Sequence, residues 1–312
     1  MANGRVSDIT RMTEAGTTVI FNREAKMPRQ KYYPQISTEI QEPKLIGLYD
    51  TLGDLTAAEV KAERDTISFD SIGQGYQTTI TSQTISKGVD ASREKLEYDL
   101  YKTVNRSFGA PMIRVMLQKK EKAIADLYND GFATTTGADG VYIFSATHPL
   151  LSSAEHNNNL ATGALTTDNL IAGKNKFLDI KDQAGGQFDT RATTLLINDH
   201  MQYRAMQILE SQLVAFELSN TKNVANSLNP VRVVSNPYID FTAGTGGAAD
   251  TSPWFLIDDS LEDAGAILQT KKSIWLETEW LKSSQVYRGM CFEMYGTGMI
   301  SPGYRVVGST GA

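Results

Sequence analysis

The stretch "FSATHPLLSSAEHNNNLAT", residues 144–162, holds His148 and His156, Glu155, three consecutive asparagines and several hydroxyls. Imidazole and carboxylate groups this close in sequence raise two chemistries, metal-assisted hydrolysis and general acid–base work. The spacing argues against both. The histidines are eight residues apart, whereas a helical zinc pair sits at i and i+4 and structural zinc usually takes thiolates. His148 precedes Pro149, and proline holds its predecessor extended, so "VYIFS" reads as a strand-like run that turns at His-Pro-Leu. A small hydrolase or metal enzyme built on His148, Glu155 and His156 stays as an alternative, recognisable by activity that falls when either histidine becomes alanine.

Elsewhere the chain offers catalysis little. His200 follows Asn198 and Asp199 at a helix start, where the positive end of the helix disfavours an imidazolium. No G-x-S-x-G elbow, H-E-x-x-H pair or strand-borne G-x-G-x-x-G occurs. Asp258, Asp259, Glu262 and Asp263 read as a solvated turn, and the glycine-rich loop at 241–253 lacks the Lys-Ser or Lys-Thr of a P-loop. The single cysteine, Cys291, falls in a strand and reads as a small buried hydrophobe. The expectation is no enzyme, no catalytic or metal residue and no cofactor.

The elements that would position any site are clearer. At 312 residues, with 41% apolar and 21% charged residues, the chain can bury a core and has room for two folded units. It shows neither a signal-peptide pattern nor an apolar run long enough to span a bilayer, so folding in a cytoplasm without membrane contact is expected. The formal charge is −6, which disfavours a dedicated DNA-binding domain. Yet residues 1–34 carry Arg5, Arg11, Arg23, Lys26, Arg29 and Lys31 against Asp8, Glu14 and Glu24, a basic segment suited to nucleic acid or an acidic partner.

Residues 1–45, without period and broken by Pro28, Pro34 and Pro43, read as an extended arm. Asp65 to Lys87 alternates at Ile67 and Phe69 and again at Tyr76, Thr78 and Ile80, with Gly73 and Gly75 between, which predicts a β-hairpin. Ile85 falls on the opposite parity from Ile80, which predicts a bulge or twist near Ser82 and Gln83. Apolar residues at 96, 100, 104, 108 and 112 predict a helical region over 92–131, its stripe wrapping the helix so that it packs from several directions, with a kink or two abutting helices near Pro111. Lys119, Lys120 and Lys122 on that helix form either a solvated face or a phosphate-binding one. A helix capped by Thr167 or Asp168, "TTLLI" at 193–197, a helix after Asn198, "VRVVS" at 231–235 and "PWFLIDD" at 253–259 then alternate as an α/β unit. Two long strands follow in "KSIWLETEW" and "QVYRGMCFEMYG" and are expected to return to the long helix.

This order of parts, with Phe144-Ser145, His148-Pro149-Leu150, Asn159-Leu160, "TTLLI" and "WFLIDD" at their spacings, resembles the tailed-phage major capsid proteins, nearest the Mu-like major head subunits with the Hong Kong 97-type shell fold. The resemblance implies an α+β phage capsid fold: an N-terminal arm at 1–45, an E-loop β-hairpin at 46–90, a P-domain with a spine helix at 91–159, an α/β A-domain at 160–270, and return strands at 271–312. It implies a shell of pentamers and hexamers around double-stranded DNA bound without sequence preference. A scaffolding protein, a portal and a decoration protein are its implied partners, and the virion capsid, made in the host cytoplasm, its location. Arg5, Arg11, Arg23, Lys26, Ile67, Phe69, Tyr76 and Ile80 are the expected intersubunit contacts. Deleting 66–86 is expected to spare the fold and abolish shells. An encapsulin-like compartment shell, holding protein cargo in place of DNA, is the alternative of the same fold.

Overall fold

The computed structural model describes residues 18–23, 25, 31–52, 55–64, 66–70, 73–98, 103–151, 154–211, 231–241, 252–260, 265–300 and 302–311. In chain order the strands are β1 (Ser37–Gln41), β2 (Ile46–Leu52), β3 (Gln74–Thr81), β4 (Gln83–Ser92), β5 (His148–Pro149), β6 (His156–Asn157), β7 (Leu160–Ala161), β8 (Thr194–Ile197), β9 (Arg232–Ser235), β10 (Trp254–Ile257), β11 (Gly265–Leu281), β12 (Val286–Ile300) and β13 (Val306–Ser309). The helices are α1 (Arg93–Glu97), α2 (Thr103–Asn129), α3 (Thr167–Leu178), α4 (Gln202–Glu210) and α5 (Pro302–Arg305).

Two sheets organise these elements. The first, in the order β1-β11-β12-β4, is built on the long antiparallel pair β11 and β12. Tyr287 and Cys291 on β12 and Ala91 on β4 point to α2, where they meet Met112, Ile113 and Met116. The second sheet runs β7-β13-β10-β8-β9. Its strands β8, β10 and β13 are buried along their whole length, because layers cover both faces. Leu195, Trp254, Leu256 and Val307 face α3 and α4, whereas Leu196, Phe255, Ile257 and Val306 face the last turns of α2. Helix α2 therefore belongs to two cores, through Met112, Ile113 and Met116 in one and Ile124, Ala125, Leu127 and Tyr128 in the other. This is the packing from several directions that its wrapped stripe predicts.

Four expectations change. The 65–87 hairpin does not form as drawn: β3 pairs with β2, Ile46 opposite Thr81, and residues 66–70 have no regular structure. The alternation at Ile67 and Phe69 is local, and the better partner lies upstream in "IGLYDTL". The break near Ser82 is real and larger than a bulge, since β4 leaves β2 and pairs with β12. The helical region divides between Glu97 and Thr103 and is assigned as one helix through Pro111. The cap of α3 is Thr166, whose side chain accepts from the amide of Asn169, one residue earlier than expected. Strand β13 lies in the second sheet, between β7 and β10, where Val306 meets the last turns of α2.

The ribbon of β2 and β3 is seated on β12 by two glycines. A methyl built on Gly298 would stand 2.7 Å from Ile80 Cγ1, and one on Gly296 would stand 2.7 Å from the carbonyl of Thr81. Both distances are far inside van der Waals contact, so only glycine admits the crossing. Gly298→Val should destabilise the fold by about 1–3 kcal/mol through overpacking against Ile80; an unchanged denaturation midpoint would contradict this contact.

Candidate functional site

The sequence-predicted chemical loop is a structural knot. His148 is buried, with Nδ1 2.6 Å from Asp139 Oδ2 and Nε2 3.2 Å from the carbonyl of Ile143 and 3.1 Å from Asn159 Oδ1. The asparagines serve the backbone: Asn159 Nδ2 donates to Ile143 O at 2.7 Å, and Asn157 exchanges hydrogen bonds with the amide and carbonyl of Lys181. His156 lies exposed opposite Pro149, and Glu155 pairs with Lys181 at the surface. The two histidines and Glu155 are thus not brought together. Among the described residues no cluster of His, Cys, Asp and Glu is arranged to hold a metal ion. Cys291 is buried, its thiol pushed up by burial, and donates to Lys87 O. No described helix is long and apolar enough to cross a membrane.

A second built region anchors the arm. Tyr32 and Tyr33 donate their amides to the two carboxylate oxygens of Glu121 on α2, at 3.0 and 2.8 Å. Tyr128 donates its hydroxyl to Ile36 O at 2.7 Å, and β1 continues as a parallel partner of β11. Beside Glu121, the buried Lys120 ammonium pairs with Glu293 of β12 and lies over the rings of Tyr33 and Tyr295. Burial, then the charges of Glu39, Glu293 and Glu121, push the Tyr33 hydroxyl up to about 12, so it stays neutral. Upstream, residues 18–23 are helical, and Phe21 is buried against Met112 and Met116.

Burial raises the Glu121 carboxyl above its usual range, although both amides and the charges of Lys31 and Lys120 oppose this. A carboxyl raised in the folded state contributes stability that is present at low pH and lost as pH rises through its folded value. The stability of the wild type relative to Glu121→Gln should therefore decline as pH climbs from the ordinary carboxylate range. Glu121→Ala should cost about 2–4 kcal/mol, two charge-assisted bonds in a buried setting, and speed proteolysis near Tyr32. Unaltered cleavage would show that the arm is held elsewhere.

The third region is apolar and exposed. Leu45, Ile46, Leu48, Leu55, Val60, Ile67 and Phe69 all face solvent, Val60 completely and Phe69 at 86% exposure. So many large apolar groups within 45–69 exceed ordinary surface scatter and mark an interaction surface. Thr56 donates its amide and hydroxyl to Asp70, tying the two sides of the loop, and its hydroxyl bond holds the Asp70 carboxyl below the usual range. At the base, Tyr76 on β3 donates to Pro149 O at 3.2 Å, joining the ribbon to the His148 knot.

Of the expected contact residues, Ile67 and Phe69 stand in this exposed loop and Arg23 is exposed on the short N-terminal helix. Tyr76 is half-buried, and Ile80 is buried within its own subunit against Ile267 and Ile300. Arg5, Arg11 and Lys26 lie outside the described residues. Sequence reasoning missed Lys120, Glu121 and Glu293. For Lys120 the signal was positional: it follows Met116 and precedes Ile124 at four-residue spacing on the buried stripe, where a charge needs a partner.

A folded body that exposes an apolar loop and clamps an arm has a surface left over for a partner. A phage capsid protein family profile matches residues 75–290, and the chain belongs to that family. Its function is that of a major capsid protein. The match is at the level of the phage capsid family and does not single out the Mu-like subunits. No curated protein matches the chain. Among solved structures it is similar to the capsid of cyanophage P-SCSP1u, with TM-score 0.58, 10% identity, and 91% of this chain and 89% of that one covered. It is similar to a structure from Mycobacterium phage Adephagia, with TM-score 0.54, 11% identity and 99% and 98% covered. The capsid of Myoviridae phage XM1 gives TM-score 0.51, 13% identity and 92% and 95% covered. At these identities the likeness establishes the fold, an α+β capsid fold over most of the chain.

Proposed function

We propose that copies of this chain close into an icosahedral shell of pentamers and hexamers that encloses double-stranded DNA in the virion, a structural and non-enzymatic role. The observation that carries this reading is the exposed apolar stretch at 45–69 on a body that buries large apolar groups of its own in internal clusters. In this reading residues 1–45 are the arm, 46–90 the E-loop, 91–159 the P-domain around α2, 160–270 the A-domain and 271–312 the return strands. Ile67 and Phe69 make loop contacts with a neighbour, and Arg5, Arg11, Arg23 and Lys26 engage a neighbour or a scaffolding protein. Repeated heterologous contacts, each burying on the order of 1,000 Å² or more, then make the container durable. A portal occupies one vertex, and a decoration protein can clamp the outside.

Electron microscopy of the expressed protein, alone and with its scaffolding protein, tests this. Closed shells are the expected result. Uniform monomers under both conditions would overturn it.

A further inference from the structure

The lysine cluster of α2 divides in the structure. Lys120 turns inward to Glu293, while Arg114, Lys119 and Lys122 are exposed. The only carboxylate between residues 111 and 125 of α2 is Glu121, which is buried under the arm amides. Every exposed charge on this part of the helix is therefore positive. None of Arg114, Lys119 and Lys122 has an ion-pair partner among the described residues. The arm adds another cation: Lys31, also exposed, lies over the Tyr33 ring and close enough to Glu121 for its charge to oppose the rise that burial imposes on that carboxyl. The strip stops at Asp126, whose carboxyl feels Lys122 and Lys119 on one side and Asp130 and Asp240 on the other.

The opposite broad face of the first sheet differs in kind. Side chains alternate along a strand, so with Tyr287 and Cys291 turned to α2, Arg288, Met290 and Phe292 look away from it. There Lys272 and Arg288 mix with Glu277, Glu279 and Asp90, and Trp275 stacks on Phe292 at 5.4 Å between ring centroids. That face is mixed in charge and apolar at its centre. The α2 face is cationic and lacks an aromatic cluster, on a chain of net charge −6.

We infer that the outward face of α2, from Arg114 to Lys122 with Lys31 beside it, contacts the phosphate backbone of the packaged duplex, and so faces the lumen of the shell. This rests on the capsid reading. The eight steps from Arg114 to Lys122 span ~12 Å of helix, over which duplex DNA presents about seven phosphates. A few contacts through long, mobile side chains give weak, sequence-independent binding that salt screens readily. Such contact steadies the outer layer of duplex without stopping its movement during filling.

The test is fluorescence anisotropy of a short mixed-sequence duplex with the unassembled full-length subunit, over a salt series. Each phosphate contact contributes about 0.9 to the slope of log affinity against log salt, so R114Q/K119Q/K122Q should flatten the slope by about 2–3. K272Q/R288Q, on the opposite face, should leave it unchanged. All replaced side chains are outward-facing, and matching thermal melts check that each variant is folded. An equal slope in wild type and triple variant, or an equal flattening in the control, overturns the inference. So does loss of polyglutamate binding with the duplex slope intact, which would assign the strip to an acidic protein. If the slope difference appears but no preparation forms shells with the scaffolding protein, the capsid reading fails and the phosphate surface stands.

Discussion

A subunit in which residues 53–73 are replaced by a tight Asn-Gly turn is expected to fold normally and to form no shells. Leu52 and Gln74 are partners in the β2–β3 register, so a two-residue turn of this type can close the ribbon without disturbing it. What is lost is Leu55, Val60, Ile67 and Phe69, apolar groups of which Val60 and Phe69 are almost wholly exposed and Leu55 and Ile67 more than half exposed. The cut at 66–86 would instead remove β3 and the start of β4, and with them Ile80 and Ile85, which pack into internal clusters. That deletion should yield insoluble protein, for a reason of folding and not of assembly. Sedimentation and microscopy distinguish the two cuts. Shells from the 53–73 replacement would remove the loop from the assembly mechanism.

The second large effect concerns Lys120. Replacing it with methionine leaves the Glu293 carboxylate in a site where both side chains are 5% exposed. An uncompensated buried charge of this kind costs about 3–5 kcal/mol, a large part of the stability of an ordinary domain. Lys120→Met with Glu293→Leu should recover most of the loss, because an apolar pair of similar volume needs no desolvation of charge. Urea denaturation of the two variants decides the matter: equal stabilities of wild type and Lys120→Met would show that Glu293 finds water or another partner. The site also joins α2, β12 and the arm through the rings of Tyr33 and Tyr295, so the single variant should loosen the arm as well.

Much of this architecture is legible in the residues alone, and the failures have physical causes. Strands β8 and β10 are dense apolar runs, and their burial on two faces leaves few alternatives. Helix α2 is visible because apolar residues recur along it, and the wrapped stripe foretells two cores. Strand pairing is not visible in the same way. A strand with one good alternation can choose among several partners, and β3 prefers β2, while β4 prefers β12. Local period says nothing of such long-range choices. The parallel pairing of β1 with β11 was equally hidden, because residues 37–41 carry one large apolar side chain, Ile40. For the site, the exposed Ile67 and Phe69 could be chosen from sequence as unsupported apolar groups. Glu121 could not, since its partners are backbone amides of a distant segment and leave no trace in side-chain identity.

The position of β13 bears on when the subunit becomes competent. Residues 306–309 occupy an inner place in the second sheet, with β7 on one side and β10 on the other. Until the ribosome has released those residues, β7 has no neighbour and β10 is an open edge, so Phe144 and Leu160 lack the strand that seats them. The body cannot close during synthesis of its earlier parts. Closure of the second sheet therefore waits until residues 306–309 have been made, and the earlier strands gain their inner neighbour only then.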